Sequence, residues 1–480
     1  MRSGHHSGRF RAHRSTMTVA AVTALGALMF VGAAPVAAAP VSPRPAAPAP
    51  AAPAPPGLGA GGEYHAVAPQ RIYDSRPGTA VNEAAPGPKA ANPAQPTFDI
   101  AVLGLGGVPN RADDVLAVVV NITVTEPTAG GWLNAYGAGS PAGIASIVNF
   151  STGQTVPNLS IVRPNDGRLA IKLFTQSASG SAHVVVDVFG WFSTSSNAAR
   201  GARLVPIAPG RLLDTRTAFN RTPANTPLGQ GESMELAFRG ATLATGEVIP
   251  ASTQVVGAVL NVTGVNDLAA SQPTFVSVVP ESLNGSPPGT SNLNLARGQI
   301  KPNMVIVPVG ADGKVRIYNN SGTTHVVVDV AGYLLDGASV STRAGRVVPL
   351  TTPFRVFDTR EGQWGAVALG PGQAEDWSFA DFVGSVNIGG VAVGNQVAVI
   401  GNLTSASLTR QYPTVAAQSY LTVYPSDSLR PNSSNINMIE GAPVPNLAIM
   451  KYGANATVRV FNQAGYQHYL YDASAVVLAD

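Results

Sequence analysis

His183-Val184-Val185-Val186-Asp187-Val188-Phe189-Gly190-Trp191-Phe192 returns as His325-Val326-Val327-Val328-Asp329-Val330-Ala331-Gly332-Tyr333-Leu334. It returns again, worn, as His468-Tyr469-Leu470-Tyr471-Asp472, where Ala473-Ser474-Ala475 replaces the Val-x-Gly of the other copies. The copies lie 142 and then 143 residues apart, so the chain is built on a repeated unit. Runs of Val followed by aromatics around a single Gly have the β-branched content of a strand buried on both faces. Along a pleat His183, Val185 and Asp187 share one face, and Val184, Val186 and Val188 the other. A carboxylate in such a strand cannot stay ionised alone, because desolvating it is too costly.

The cation source is a second signature near the start of each unit. It reads Arg71-Ile72-Tyr73-Asp74-Ser75-Arg76, Arg211-Leu212-Leu213-Asp214-Thr215-Arg216 and Arg355-Val356-Phe357-Asp358-Thr359-Arg360. The Asp and the second Arg are two apart, on one face of an extended segment. Arg76, Arg216 and Arg360 are therefore expected to fork onto Asp187, Asp329 and Asp472 of the closing strands, or onto their own neighbours Asp74, Asp214 and Asp358. The pairs are read as structural, pinning the first strand of a unit to its last.

Outward from these landmarks the order is constant. An apolar strand ends in Asn-x-Thr at Asn121, Asn261 and Asn402; Ser-x-x-Asn follows at Ser146, Ser291 and Ser434; Pro-Asn opens another strand at Asn158, Asn303 and Asn446. Asp166-Gly167 and Asp312-Gly313 are hairpin-turn dipeptides. About eight short strands per unit predict an all-β chain: three tandem antiparallel β-sandwich domains at residues 63–193, 202–336 and 345–480. Small polar joints separate them.

Residues 1–39 read as a secretory signal peptide, with Arg-bearing start, apolar centre and the small-residue end Val36-Ala37-Ala38-Ala39. Residues 40–62 form a Pro/Ala-rich linker that favours extended polyproline II. Of the 480 residues, charged residues are 12% and aromatics 6%, while Gly (51) and Pro (39) are plentiful, which suits a turn-rich β protein. The formal charge of +3 comes from Arg2, Arg9, Arg11 and Arg14 of the leader; without them the remainder stands at about −1. A near-neutral body lacks the electrostatic footprint of a nucleic-acid binder. No cysteine is present, so disulfides, thiolate metal sites and Cys nucleophiles are excluded.

The order Arg-x-x-Asp-Thr-Arg, Asn-Val-Thr, Ser-x-Leu-Asn, Gly-Gln-x-x-x-Asn, Asp-Gly-x-Val and His-x-Val-Val-Asp-Val-x-Gly-Tyr resembles a repeat of secreted actinobacterial proteins. Gly153-Gln154 to Asn158 and Gly298-Gln299 to Asn303 carry its central motif, and the likeness spans residues 64–480. Unit three departs from it, lacking Gly-Gln before Asn446 and Gly in the closing strand. The resemblance implies an extracellular or envelope-associated β-module.

Chemistry is sparse. His183, His325 and His468 stand four residues before the closing-strand Asp, about 13 Å away along the strand, too far to touch. They read as structural. No His-Glu-x-x-His, Gly-x-Ser-x-Gly or Walker loop occurs. An Arg beside each Asp lowers its pKa, the wrong direction for a general acid. No catalytic residue, metal or cofactor is therefore expected.

For sugar stacking the candidates are Trp132, Tyr136, Trp191, Tyr333, Trp364 and Tyr424. The variable stretches 77–97, 217–234 and 361–378, as loops at sandwich ends, are stronger ones. The expectation is a secreted, non-catalytic surface protein binding envelope glycans or surface proteins. The alternatives are a ligand-free spacer or coat component, and a secreted hydrolase.

Overall fold

In the computed structural model the described residues are 61–91, 98–195, 197, 199–280, 287–362, 367–380, 390–406, 418–439 and 443–479. The expected signal peptide, nearly all of the expected linker and Trp364 lie outside them. Unit one holds β1 (Tyr64–Asp74), β2 (Lys89–Ala90), β3 (Phe98–Ala101), β4 (Val115–Thr125), β5 (Gly131–Gly137), β6 (Val148–Phe150), β7 (Val156–Val162), β8 (Arg168–Thr175) and β9 (Ser181–Ser193). Unit two holds β10 (Ala202–Asp214), β11 (Ser233–Ala237), β12 (Val255–Asn266), β13 (Thr274–Val279), β14 (Leu293–Leu295), β15 (Gln299–Pro308), β16 (Lys314–Asn319) and β17 (His325–Asp336). Unit three holds β18 (Val347–Asp358), β19 (Ala374–Ser378), β20 (Gln396–Ala406), β21 (Gln418–Pro425), β22 (Ile436–Ile439), β23 (Val444–Lys451), β24 (Thr457–Asn462) and β25 (His468–Leu478).

Each unit is an antiparallel sandwich. Its inner sheet runs β1-β9-β4-β7, β10-β17-β12-β15 or β18-β25-β20-β23; its outer sheet runs β3-β8-β5-β6, β11-β16-β13-β14 or β19-β24-β21-β22. With the eight principal strands of a unit numbered in order, the sheets are 1-8-3-6 and 2-7-4-5. That interleaving of two Greek keys is the jelly-roll topology. β2 is an addition in unit one, paired with β9.

The closing strand sits between the signature strand and the Asn-x-Thr strand. Arg71 lies opposite Asp187, and Asn121 opposite the same Asp187 on the other side. The row repeats as Arg211, Asp329, Asn261 and as Arg355, Asp472, Asn402. Gly190 is required there by close approach: a Cβ would fall 2.4 Å from the Tyr64 ring, whose hydroxyl donates to Phe189 O at 2.9 Å.

The inner sheets are apolar on both faces because they have two things to cover. Along β4, Val118, Val120 and Ile122 enter the core of unit one, while Ala117 and Val119 enter a second, shared core. Unit two divides Leu260 and Val262 from Val259 in the same way, and unit three divides Val399 and Leu403 from Ala398 and Ile400. The shared core takes Leu159, Met304 and Leu447, one from each unit, at the residue after the Pro-Asn motif. The three sandwiches thus pack their inner sheets around a common axis. They form a closed ring, where a linear tandem would bury only one face of each inner sheet.

Asparagines close the ring. Asn121 of unit one donates to Ser291 O of unit two at 3.2 Å, Asn261 of unit two to Ser434 O of unit three at 2.5 Å, and Asn402 of unit three back to Ser146 O of unit one at 2.7 Å. The side-chain amides of Asn303, Asn446 and Asn158 donate to the carbonyls of Asn121, Asn261 and Asn402 at 2.7–3.0 Å. Their own side-chain oxygens accept from Leu159, Met304 and Leu447 N–H, again across units, at 3.0–3.1 Å. Three recurring motifs of the sequence are one interface.

Near the unit starts the backbones also zip together. Tyr64 pairs with Ala202, Leu204 N–H donates to Gly345 O at 2.9 Å, and Gly62 exchanges two bonds with Val347 at 2.8 and 3.0 Å. Glu63 is buried among Arg203 (2.8 Å), Arg346 (3.1 Å) and Arg200 (3.3 Å).

Candidate functional site

The signature Arg pairs sit where two units meet. A bulge follows the first Arg in each signature strand, between Arg71 and Tyr73, Arg211 and Leu213, and Arg355 and Phe357. This sets the first Arg over the closing strand. Arg355 forks onto Asp472 at 2.8 and 3.0 Å and reaches Asp358 with Nη1 at 2.8 Å. Arg71 does the same to Asp187 (2.9 and 3.2 Å) and Asp74 (3.2 Å), and Arg211 reaches Asp329 (2.5 Å) and Asp214 (2.9 Å). The second Arg forks only onto its own neighbour: Arg76 onto Asp74 (3.0 and 2.7 Å), Arg216 onto Asp214 (2.9 and 2.8 Å), Arg360 onto Asp358 (2.8 and 2.6 Å). The strand-to-strand pin is thus the first Arg of the signature, while the second stays local.

Each signature Asp also accepts the N–H of the second Arg at 3.0–3.1 Å, which turns the chain out of the strand. Burial alone would raise Asp74, Asp214 and Asp358, but the second Arg and this amide hold them below the ordinary carboxylate range. In Asp187, Asp329 and Asp472 burial wins, and their pKa values are raised despite the fork.

The residue between Asp and the second Arg meets the recurring His. Ser75, Thr215 and Thr359 lie 3.2, 2.9 and 2.8 Å from Nδ1 of His183, His325 and His468. Their hydroxyls also accept the N–H of Val184, Val326 and Tyr469. A hydroxyl–imidazole pair looks like half a nucleophile, but these hydroxyl-bearing residues are at most 1% exposed and tied to the ladder. Their role is to lock strand ends together.

Above the buried carboxylates the seams open into clefts. Between units one and three Trp132, Asn149 and Lys172 of one unit face Arg355 and Arg360 of the other, around about 290 Å³. Ser146 N–H donates to Asp472 across this seam at 2.8 Å. Between units three and two the same parts recur as Tyr420, Asn437 and Ser434 against Arg211 and Arg216, around about 140 Å³. Ser434 N–H there donates to Asp329 at 3.2 Å.

Trp132 is half-buried, stacked on Phe174 with ring centres 5.3 Å apart. The other aromatics expected to stack on sugar are not available for it. Tyr136 is fully buried, Trp191 is 7% exposed and stacked on His65, and Tyr424 is 5% exposed. Tyr333 packs, half-buried, against the core of unit two. Alternation along β5 puts Trp132 and Tyr136 on one face, but nothing in one unit's sequence shows that a neighbour covers part of that face. Tyr420, which belongs to the seam, is missing from the sequence-based candidates because its significance lies in its place beside another unit's Arg pair.

Among the described residues no group of His, Asp and Glu is arranged to hold a metal ion, and no helix is long and apolar enough to cross a membrane. No protein-family model matches the chain, and no curated protein does. Among solved structures, the tandem CBM22 domains of Paenibacillus barcinonensis Xyn10C are similar at 12% identity, over 56% of this chain and 98% of that one, with a TM-score of 0.15. The Sulfolobus turreted icosahedral virus structure covers 87% of this chain and 92% of that one at 6% identity and a TM-score of 0.16. A triple jelly roll from an archaeal virus turret covers 87% and 91% at 8% and 0.14. These likenesses add nothing to the all-β class that the strand order already establishes.

Proposed function

We propose that the chain is a secreted, non-catalytic module of the actinobacterial β-repeat type that binds envelope glycans, and that the seams between units are its binding sites. The observation that carries this is the Trp132 cleft. A half-buried indole forms one wall, and amide, ammonium and guanidinium donors converge beside it. Flat apolar stacking plus a few directed donors is how proteins hold pyranose rings. Recurrence at a second seam supports avidity, since linked weak sites act at high effective concentration. The signature carboxylates support a non-catalytic role: every one is committed to arginine. Recognition shifts from the sandwich-end loops to the seams. The described parts of those loops carry internal ion pairs instead, Glu83–Lys89 at 2.6 Å and Arg221–Glu232 at 2.9 Å.

The test is depletion of the purified full chain by insoluble polysaccharides and isolated actinobacterial cell walls. The wild type should pellet with at least one, and Trp132→Ala should weaken that binding about tenfold, the loss of one stacking contact. Equal pelleting of wild type and variant would refute the seam site.

A further inference from the structure

The two seam clefts differ in charge, and the difference lies in one residue. Lys172 lies opposite Asn134, the place that Tyr318 takes opposite Ser277 and Phe461 takes opposite Thr422, so unit one alone carries a cation there; the arginines of the other two strands stand two residues earlier. Arg316 is neutralised by Asp312 (2.6 Å) and Glu235 (3.0 Å), and Arg459 by Asp376 (2.6 Å). Lys172 has no carboxylate partner among the described residues; its ammonium lies 5.8 Å from the centre of the Trp132 ring.

The cations of this cleft are Lys172, Arg355 and Arg360, and the acids that answer them are Asp358 and Asp472. One positive charge is left over. Position sharpens the imbalance. The side chains of Asp358 and Asp472 are 0% and 1% exposed, whereas that of Arg360 is 46% exposed, so the acids form the floor and Arg360 stands at the surface. Arg360 binds Asp358 through Nε and Nη2, which leaves Nη1 with no hydrogen-bond partner among the described residues. In the seam between units two and three Arg211 and Arg216 are balanced by Asp214 and Asp329, with no lysine beside them among the described residues.

We propose that the cleft between units one and three takes a pyranose carrying a carboxylate, a uronic-acid residue of an acidic glycan. The inference rests on the glycan-binding reading above and names its ligand class. The sugar ring stacks on Trp132, Asn149 meets ring hydroxyls, and the carboxylate lies between Lys172 Nζ and Arg360 Nη1. Planar guanidinium donors suit a carboxylate, and charge-assisted bonds of this kind are about twice as strong as neutral ones. The seam between units two and three, with Tyr420 and no surplus charge, is the neutral counterpart.

The experiment is calorimetric titration of the full chain with trigalacturonate, its methyl ester and a sulfated galactose trimer, repeated on Lys172→Gln and Trp132→Ala. The Lys172 ammonium makes no ion pair or hydrogen bond among the described residues, so its replacement leaves the architecture intact; Arg459→Gln is the control for loss of a cation elsewhere. Trigalacturonate should bind at least about tenfold tighter than its ester, and Lys172→Gln should remove that preference, weakening the acid more than the ester. Arg459→Gln should change neither. Ester and acid bound equally, or the sulfated trimer bound and trigalacturonate not, would overturn the uronate assignment while glycan binding stands. No sugar bound, together with polysaccharide depletion indifferent to Trp132→Ala, would overturn both.

Discussion

Asn303 of unit two donates its side-chain amide to the side-chain carbonyl of Asn121 in unit one at 3.0 Å, and its own carbonyl accepts Leu159 N–H of unit one at 3.1 Å. A third bond, to Asn292 O at 2.6 Å, holds Asn303 within its own unit. All of this is buried. Because the arrangement is cyclic, with Asn446 and Asn158 in the equivalent roles, each unit supplies both halves of the contact. The ring is the unit of stability, and no seam is peripheral.

Asn303→Ala is therefore expected to cost about 3–5 kcal/mol, since it removes three buried bonds and strands Leu159 N–H and Asn292 O without partners. Chemical denaturation at neutral pH measures it. A loss below about 1 kcal/mol, the worth of a single ordinary hydrogen bond, would show that the amides are satisfied elsewhere.

Glu63, Arg203 and Arg346 occupy the equivalent place in Glu63-Tyr64-His65-Ala66, Arg203-Leu204-Val205-Pro206 and Arg346-Val347-Val348-Pro349. Strict repetition would bring three like charges together at the axis. The single acid resolves that: burial pushes Glu63 up, but the Gly201 amide and Arg203, Arg200 and Arg346 hold it below the usual carboxylate range. Glu63→Gln should lose about 3–5 kcal/mol, the usual cost of leaving buried charge unpaired, and Glu63→Arg should give no soluble ring. Thermal melting and size-exclusion chromatography read both.

The histidines predict the acid limb of stability. His325 and His468 are buried, and burial first, then Arg216 or Arg360, pushes their pKa values below the ordinary one. Asp214 and Asp267 oppose this at His325, Arg221 adds to it, and Asp358 opposes it at His468. The folded chain thus binds fewer protons than the unfolded chain below about pH 6.5. Stability is full above that value and declines as pH falls from it toward the folded values, by at most about 1.4 kcal/mol per pH unit for each histidine. The closing-strand carboxylates act with the opposite sign, so the difference between wild type and His325→Gln isolates the imidazole. Urea midpoints from about pH 7.5 to about pH 5, a window spanning the ordinary imidazole value, should fall less steeply in the variant; parallel curves would contradict the assignment.

Much of the fold is legible in the sequence because a β-ladder leaves local signs. Val-rich runs, Asp-Gly turns and a motif order repeated three times yield three all-β sandwiches. That the strand leading through Asn121 is apolar is readable, but not that both its faces are covered: Val119 enters a core whose other contributors, such as Val259 and Ile400, lie 140 and 281 residues away. The role of the Asn-x-Thr asparagines is not readable for the same reason, since their acceptors Ser291, Ser434 and Ser146 belong to other units. The ion-pair partners turn on a bulge, which no composition reveals. Of the seam site, Trp132 is legible as an aromatic at a strand start; the Arg360 it faces is legible only as half of an ion pair.

Ring closure between the first and last units underlies everything above, and a disulfide across that seam tests it most directly. A Cβ on Gly143 would lie 3.4 Å from Cγ2 of Thr352, where a cysteine at 352 can place its sulfur, and 2.9 Å from Pro353 O, which must give slightly for the bond to form. The natural chain contains no cysteine, so Gly143→Cys and Thr352→Cys can pair only with each other within one chain. Under mild oxidation the double variant should form the bond in nearly every monomer, seen as faster migration on non-reducing gels and loss of both free thiols. Thiols that stay free, or that link only between different chains, would contradict the ring and with it the site built from Trp132 and Arg360.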